Sequence, residues 1–127
     1  MLNKVCLAIV LTLCGLHVVA EETLLYEMRT YTTNEGKLDA LHERFRNHTM
    51  TIFEKHGMQN VGYWIPAETP ETLIYIIAHK DSAAAQASWQ AFVADPEWQD
   101  VYAKSIADGR LVKNIVSVFM TKTDYSP

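Results

Sequence analysis

The stretch YEMRTYTTNEGKLDALHERFRNHTMTIFEKHGM, residues 26–58, changes its hydrophobic period in the middle, and that change decides the fold. From Leu24 to Thr32 one side carries Leu24, Tyr26, Met28 and Thr30 and the other Leu25, Glu27, Arg29 and Tyr31. This is a strand with one apolar side and one mixed side. Beyond Asn34, which can cap a helix, Leu38, Leu41, Phe45, His48 and Ile52 recur at steps of three and four until Gly57 stops the run. The stripe predicts a helix of about four turns with the His48 ring pointing between helix and sheet.

Working outward, Val61 to Ile65 and Leu73 to His79 read as strands joined by a turn with Pro66, Thr69 and Pro70, an antiparallel hairpin. Asp81-Ser82 caps a helix through Ala83, Ala87, Trp89 and Phe92. Asp95-Pro96-Glu97-Trp98 restarts one that runs to about Ile106, with Asp95 as cap and Pro96 at the first helical position. Asp108-Gly109 turns the chain into a last strand, Leu111 to Thr121. The order strand, helix, strand, strand, helix, strand predicts an α+β, ferredoxin-like fold, an antiparallel sheet with helices on one face. In the third strand Leu73, Tyr75 and Ile77 oppose Ile74, Ile76 and Ala78. In the last, Ile115 and Phe119 oppose Val116, Val118 and Met120. Both sheet faces are apolar while helices cover one, so a homodimer with a shared barrel-like core is expected.

Residues 1–20 stand apart. Lys4 gives a positive start, Val5 to Leu13 is apolar, and Val18-Val19-Ala20 supplies small residues before Glu21, the build of a signal peptide cleaved after Ala20. The expected mature chain, residues 21–127, is one exported domain, periplasmic or secreted, with no membrane attachment after leader removal. Both cysteines, Cys6 and Cys14, fall in the leader, which leaves the mature chain no disulfide, zinc–thiolate site or cysteine nucleophile. Losing Lys4 takes the formal charge from −4 to −5, and without a basic run this argues against nucleic acid as a partner.

Tyr26-Glu27-Met28-Arg29-Thr30-Tyr31, Glu35-Gly36-Lys37-Leu38, Phe53-Glu54-Lys55-His56-Gly57, Gly62-Tyr63-Trp64 and Asp95-Pro96-Glu97-Trp98, in that order, resemble a NIPSNAP domain across essentially all of residues 21–127. The resemblance implies a dimeric α+β barrel. It also implies kinship with cofactor-free monooxygenases of small aromatic compounds, haem-degrading enzymes and chlorite dismutases. The best-known NIPSNAP proteins are linked to mitochondria and vesicle traffic; an exported chain departs from that.

Among candidate residues, His48 is read as a general base, as an axial ligand to haem, or as a core histidine bonded to the sheet, the last being preferred. No cofactor is predicted, haem being the alternative, and no protein-built metal centre. Arg29, with Tyr31, is a candidate for holding an anionic group, against simple structural pairing with a neighbouring carboxylate. His56 is read as a helix-end residue bonding the last carbonyls, and Arg44 and Arg46 as solvated. Tyr63, Trp64, Tyr75 and His79, together with His48, are candidates to line a pocket for a flat molecule. No GxSxG, P-loop or dinucleotide fingerprint is present. The expectation is therefore a small apolar or aromatic ligand between helices and sheet. The alternatives are a cofactor-free monooxygenase or isomerase, with His48 as base and Tyr31 or Arg29 stabilising an anion, and an interaction module without ligand.

Overall fold

Four strands form one antiparallel sheet in the order β2-β3-β1-β4: β1 (Leu25–Thr33), β2 (Gln59–Trp64), β3 (Thr72–His79) and β4 (Val112–Met120). These coordinates are a computed structural model describing residues 23–127, so the expected leader lies outside the described residues. β1 is central, and Tyr31 stands opposite both Leu73 of β3 and Ile115 of β4. Four helical segments cover one face: α1 (Leu38–Arg44), a π-helical turn (Phe45–Thr49) leading into α2 (Met50–Lys55), α3 (Ser82–Ala94) and α4 (Pro96–Ser105). This is the ferredoxin-like order expected.

Two helix starts follow their sequence signals. Asp81 accepts from the Ala84 amide at 2.8 Å to open α3, and Asp95 accepts from Glu97 at 2.9 Å to open α4, with Pro96 where its missing N–H costs nothing. Asn34 does not cap α1. Its amide reaches across to the Arg110 carbonyl at 2.9 Å, tying the end of β1 to the loop before β4, and α1 starts from Lys37 without a side-chain cap.

The mixed side of β1 turns toward the helices. Glu27, Arg29, Tyr31 and Thr33 share that face with Leu73, Tyr75, Ile77 and His79 of β3, and the core forms there from Tyr31, Leu41, Phe45, Ile52, Phe53, Leu73, Tyr75, Ile77 and Phe92. Tyr26 and Met28 look to the open face with Ile74, Ile76, Val116 and Val118. Val61, displaced by a bulge between Asn60 and Gly62, is exposed, as is Trp64, whose ring lies where a side chain on Gly62 would be.

The π turn alters which residues of the first helix point inward. The Met50 amide bonds the Phe45 carbonyl five residues back, and each residue in so wide a turn advances the helix by less than the usual ~100°. His48 therefore rotates off the stripe and is exposed, contrary to the inward orientation expected from its spacing. Thr49 takes the inward place at 2% exposure, its hydroxyl donating to the Arg44 carbonyl at 3.2 Å. Arg44, expected in solvent, is buried at 6% exposure.

This register predicts opposite outcomes at adjacent positions. In urea unfolding, His48→Ala should stay within about 0.5 kcal/mol of the parent, as exposed positions do. Thr49→Ala should cost about 1–2 kcal/mol through the lost buried hydrogen bond. The reverse order would show that the helix keeps an α-helical register through residue 48.

Candidate functional site

Between the helix layer and the start of β4 lies a cleft of about 330 Å³. Its walls are largely aromatic and aliphatic: Tyr31 from the sheet, Phe45 and Phe53 from the first helix, Phe92 from α3, Trp98 and Tyr102 from α4, with Ile106, Leu111 and Ile115 closing the far side. Among the lining residues the polar groups are few. Thr49 has committed its hydroxyl to the Arg44 carbonyl, leaving chiefly the Tyr31 hydroxyl, Asn114 and the cations Arg44, Arg110 and Lys113.

The Tyr31 hydroxyl is held by Tyr75, whose hydroxyl donates to it at 3.0 Å. Tyr75 is fully buried and among the described residues has no other partner, so its proton goes to Tyr31, whose own hydroxyl donates to none of them. Burial pushes the Tyr75 hydroxyl well above its ordinary pKa, and that of Tyr63 upward as well, so both remain neutral donors. Tyr63 stacks on Tyr75 with centroids 5.3 Å apart and donates to Asn60 at 2.6 Å.

Behind the cleft sits a buried carboxylate. Glu27, 1% exposed, accepts from His79 Nε2 at 2.9 Å and Trp89 Nε1 at 2.8 Å on one oxygen, and from Arg29 at 2.7 Å and Ser117 at 2.8 Å on the other. Burial by itself would raise its pKa; the four donors, His79, Trp89, Arg29 and Ser117, outweigh it and hold the carboxyl at about 2. The Arg29 guanidinium lies 4.3 Å over the Trp89 ring.

The residues singled out from sequence thus divide. Tyr31, Tyr75 and Tyr63 form one aromatic chain, and Tyr31 alone of the three lines the cleft. Arg29 pairs with Glu27. His79, a candidate to line the ligand pocket, is fully buried against Glu27, with Nδ1 unpartnered among the described residues. Tyr63 and Trp64 border a second hollow of about 320 Å³ with His42, Arg46 and Met50. His56 bonds Asp95 at 2.7 Å rather than helix carbonyls. His48 borders an outer groove with Asp100 and Lys104, so neither a base nor an axial haem bond can come from it inside the cleft. Among the described residues no three of His, Cys, Asp or Glu converge as metal ligands. Arg44, Trp98 and Tyr102 were not foreseen as cleft residues. The signal for Arg44 was its spacing, since Leu41, Arg44 and Phe45 stand at i, i+3 and i+4.

A model of the NIPSNAP family matches residues 26–127. The chain belongs to the NIPSNAP family. No curated protein matches it. Among solved structures, a NIPSNAP family protein of unknown function from Agrobacterium tumefaciens shares 23% identity over 84% of this chain and 94% of its own, with a TM-score of 0.72. An uncharacterized NIPSNAP domain protein from Burkholderia xenovorans shares 23% identity over 81% of this chain and 98% of its own, with a TM-score of 0.70. A Nitrosomonas europaea protein labelled an antibiotic biosynthesis monooxygenase is 13% identical over 87% of this chain and 100% of its own, with a TM-score of 0.57. At these identities the likeness speaks for the fold alone. It places this NIPSNAP chain among α+β, ferredoxin-like relatives.

The carboxylate behind the cleft makes a pH prediction for the NIPSNAP domain. The folded pKa of Glu27 lies below the ordinary 4.5, so its stabilisation is complete above about pH 4.5 and is lost as pH falls toward 2. The depression corresponds to roughly 3 kcal/mol. Urea unfolding at a series of pH values should show this loss, and Glu27→Gln should reduce the slope while costing about 3–5 kcal/mol at neutral pH by leaving Arg29 unpaired. An unchanged slope in Glu27→Gln would assign acid sensitivity to other groups.

Proposed function

We propose that this protein is an exported NIPSNAP domain that binds a small aromatic molecule in the cleft between its helices and sheet. The observation that carries the reading is the cleft itself, of a size suited to a small ligand and walled by Tyr31, Phe45, Phe53, Phe92, Trp98 and Tyr102. Flat rings meeting edges and faces of other rings gain both burial and quadrupole complementarity there. Catalysis by proton abstraction finds less support. The cleft lining includes no histidine and no carboxylate, and His48, the residue first considered as a base, borders the outer groove. The monooxygenase label of the Nitrosomonas europaea relative keeps an oxygenase as the second reading, with Tyr31 as the cleft-lining tyrosine.

Assembly and export complete the proposal. Val61, Trp64, Val116 and Val118 are 43–51% exposed on the open sheet face, a surface that a second copy would cover in a dimeric α+β barrel. Export rests on Lys4, the apolar run from Val5 and the small residues before Glu21. Material recovered from the exported fraction should have the mass of a chain starting at Glu21, and light scattering should give twice that mass. An intact Met1, or a stable monomer at micromolar concentration, would count against these parts of the proposal.

Native mass spectrometry of protein from its own source tests the ligand. A retained small molecule is expected in the parent. It should be lost in Ile106→Trp, which fills the cleft while keeping an apolar surface. Retention that survives Ile106→Trp would place the ligand elsewhere, and a parent free of any retained molecule would favour the interaction module.

A further inference from the structure

Arg44 is the one cleft-lining cation that is buried, and among the described residues it has no anionic partner. Its NH1 donates to the Ser105 hydroxyl at 3.1 Å, Nε is buried without any acceptor, and the guanidinium lies 5.2 Å over the Trp98 ring and 5.5 Å over the Tyr102 ring. No carboxylate among the described residues lies within ion-pair distance of it. Glu43 and Asp100 border the groove on its outer side, yet Asp100 is engaged by Lys104 at 2.8 Å and neither reaches Arg44. Burial pulls the guanidinium below its ordinary pKa, yet a guanidinium cannot shed its proton near neutrality, so the charge stays uncompensated.

A second observation points the same way. Arg44, Arg110 and Lys113 all line the cleft, and no Asp or Glu does, although the chain as a whole carries a formal charge of −4. One buried cation with two exposed ones at the rim of an aromatic hollow biases the potential there to positive. Tyr31 lines the same cleft as Arg44, and its hydroxyl makes no donation of its own among the described residues.

We infer that Arg44 is the anion-binding group of the cleft, and that the ligand is a small aromatic carboxylate whose ring packs among Trp98, Tyr102 and Phe92 while its carboxylate meets the guanidinium and Tyr31. This rests on the cleft being a binding site, as proposed above. A carboxylate fits better than a phosphate because one buried cation balances a single charge, and the planar guanidinium fork matches a planar carboxylate. Arg110 and Lys113, both exposed, steer the anion toward the mouth.

The test compares 2-naphthoate with 2-naphthamide, nearly equal in shape and differing in charge, by calorimetric titration of the mature chain. The acid is expected to bind at least about tenfold tighter, as a charge-assisted contact in a dry site allows. Arg44→Met, which keeps the volume and removes an unpaired buried charge, should fold with an undiminished melting temperature and lose the preference. Lys113→Gln should keep most of it and lessen its salt dependence. Equal binding of acid and amide by the parent would overturn the inference and leave the cleft reading standing. Binding of neither would overturn both. A preference that survives Arg44→Met would move the anion to the mouth cations. Should Arg44→Met fail to fold, Arg44→Lys replaces it, and an undiminished preference there would refute the role of the guanidinium fork.

Discussion

The carboxylate of Glu27 holds the architecture at one point. A charge taken out of water costs several kcal/mol unless its lone pairs are met, and here each of four donors comes from a different element: Arg29 from β1, His79 from β3, Ser117 from β4 and Trp89 from α3. Three strands and the helix layer are thereby registered on a single group. The consequence extends to the cleft. Trp89, fixed by its bond to Glu27 and by Arg29 lying on its face, packs edge-on against Phe53 and Phe92 at 5.6 Å each, and both of those rings are cleft wall. The shape of the hollow thus depends on a polar contact outside it.

Element order was legible because it depends on local signals. Asp81 and Asp95 cap as their side chains dictate, and alternation in β1 and β3 reports strands whatever they pack against. The candidate site was much less so, because its residues are set by one departure from regular geometry. An α-helical projection puts His48 on the inner stripe and leaves Arg44 at its margin. The π turn moves His48 out and Thr49 in, and Arg44 is buried beside Trp98 and Tyr102, which come from a helix more than fifty residues later. Nothing in a hydrophobic period announces a five-residue turn, since the spacing from Phe45 to Thr49 is as acceptable as that from Phe45 to His48. His79 escaped for a related reason. A strand-end histidine reads as solvated until a partner strand and a helix close over it.

The two sides of β1 show the same limit in another form. Polarity alone suggests that Tyr26 and Met28 face the core and Glu27 and Arg29 face water. The helices cover the opposite side, where Glu27 and Arg29 neutralise each other and the surrounding rings bury area. The apolar side is left to the open face, joined by Val116 and Val118 of an edge strand whose Ile115 and Phe119 are also about half exposed. A strand apolar on both sides and covered on neither is costly in water. Its composition is the ground on which a second copy is proposed to cover it.

Buried charge is treated in two ways within this fold, and the contrast bears on function. Glu27 and Arg29 pair charge with charge, so neither ion lacks a counterion, although Arg29 Nε, like Arg44 Nε, is buried without an acceptor. Arg44 has rings on which to lie and one hydroxyl to bond, which fix where the guanidinium sits without using up its fork. Cation–π contact acts on the face of the guanidinium, whereas an oxyanion binds its edge, so the aromatic neighbours orient the group without competing for what it would hold. A buried cation oriented in this way would meet an anion with little rearrangement, which lowers the cost of binding. The fold therefore stabilises itself through Glu27, while the Arg44 fork keeps a single hydroxyl partner among the described residues, and on that difference the proposed anion site rests.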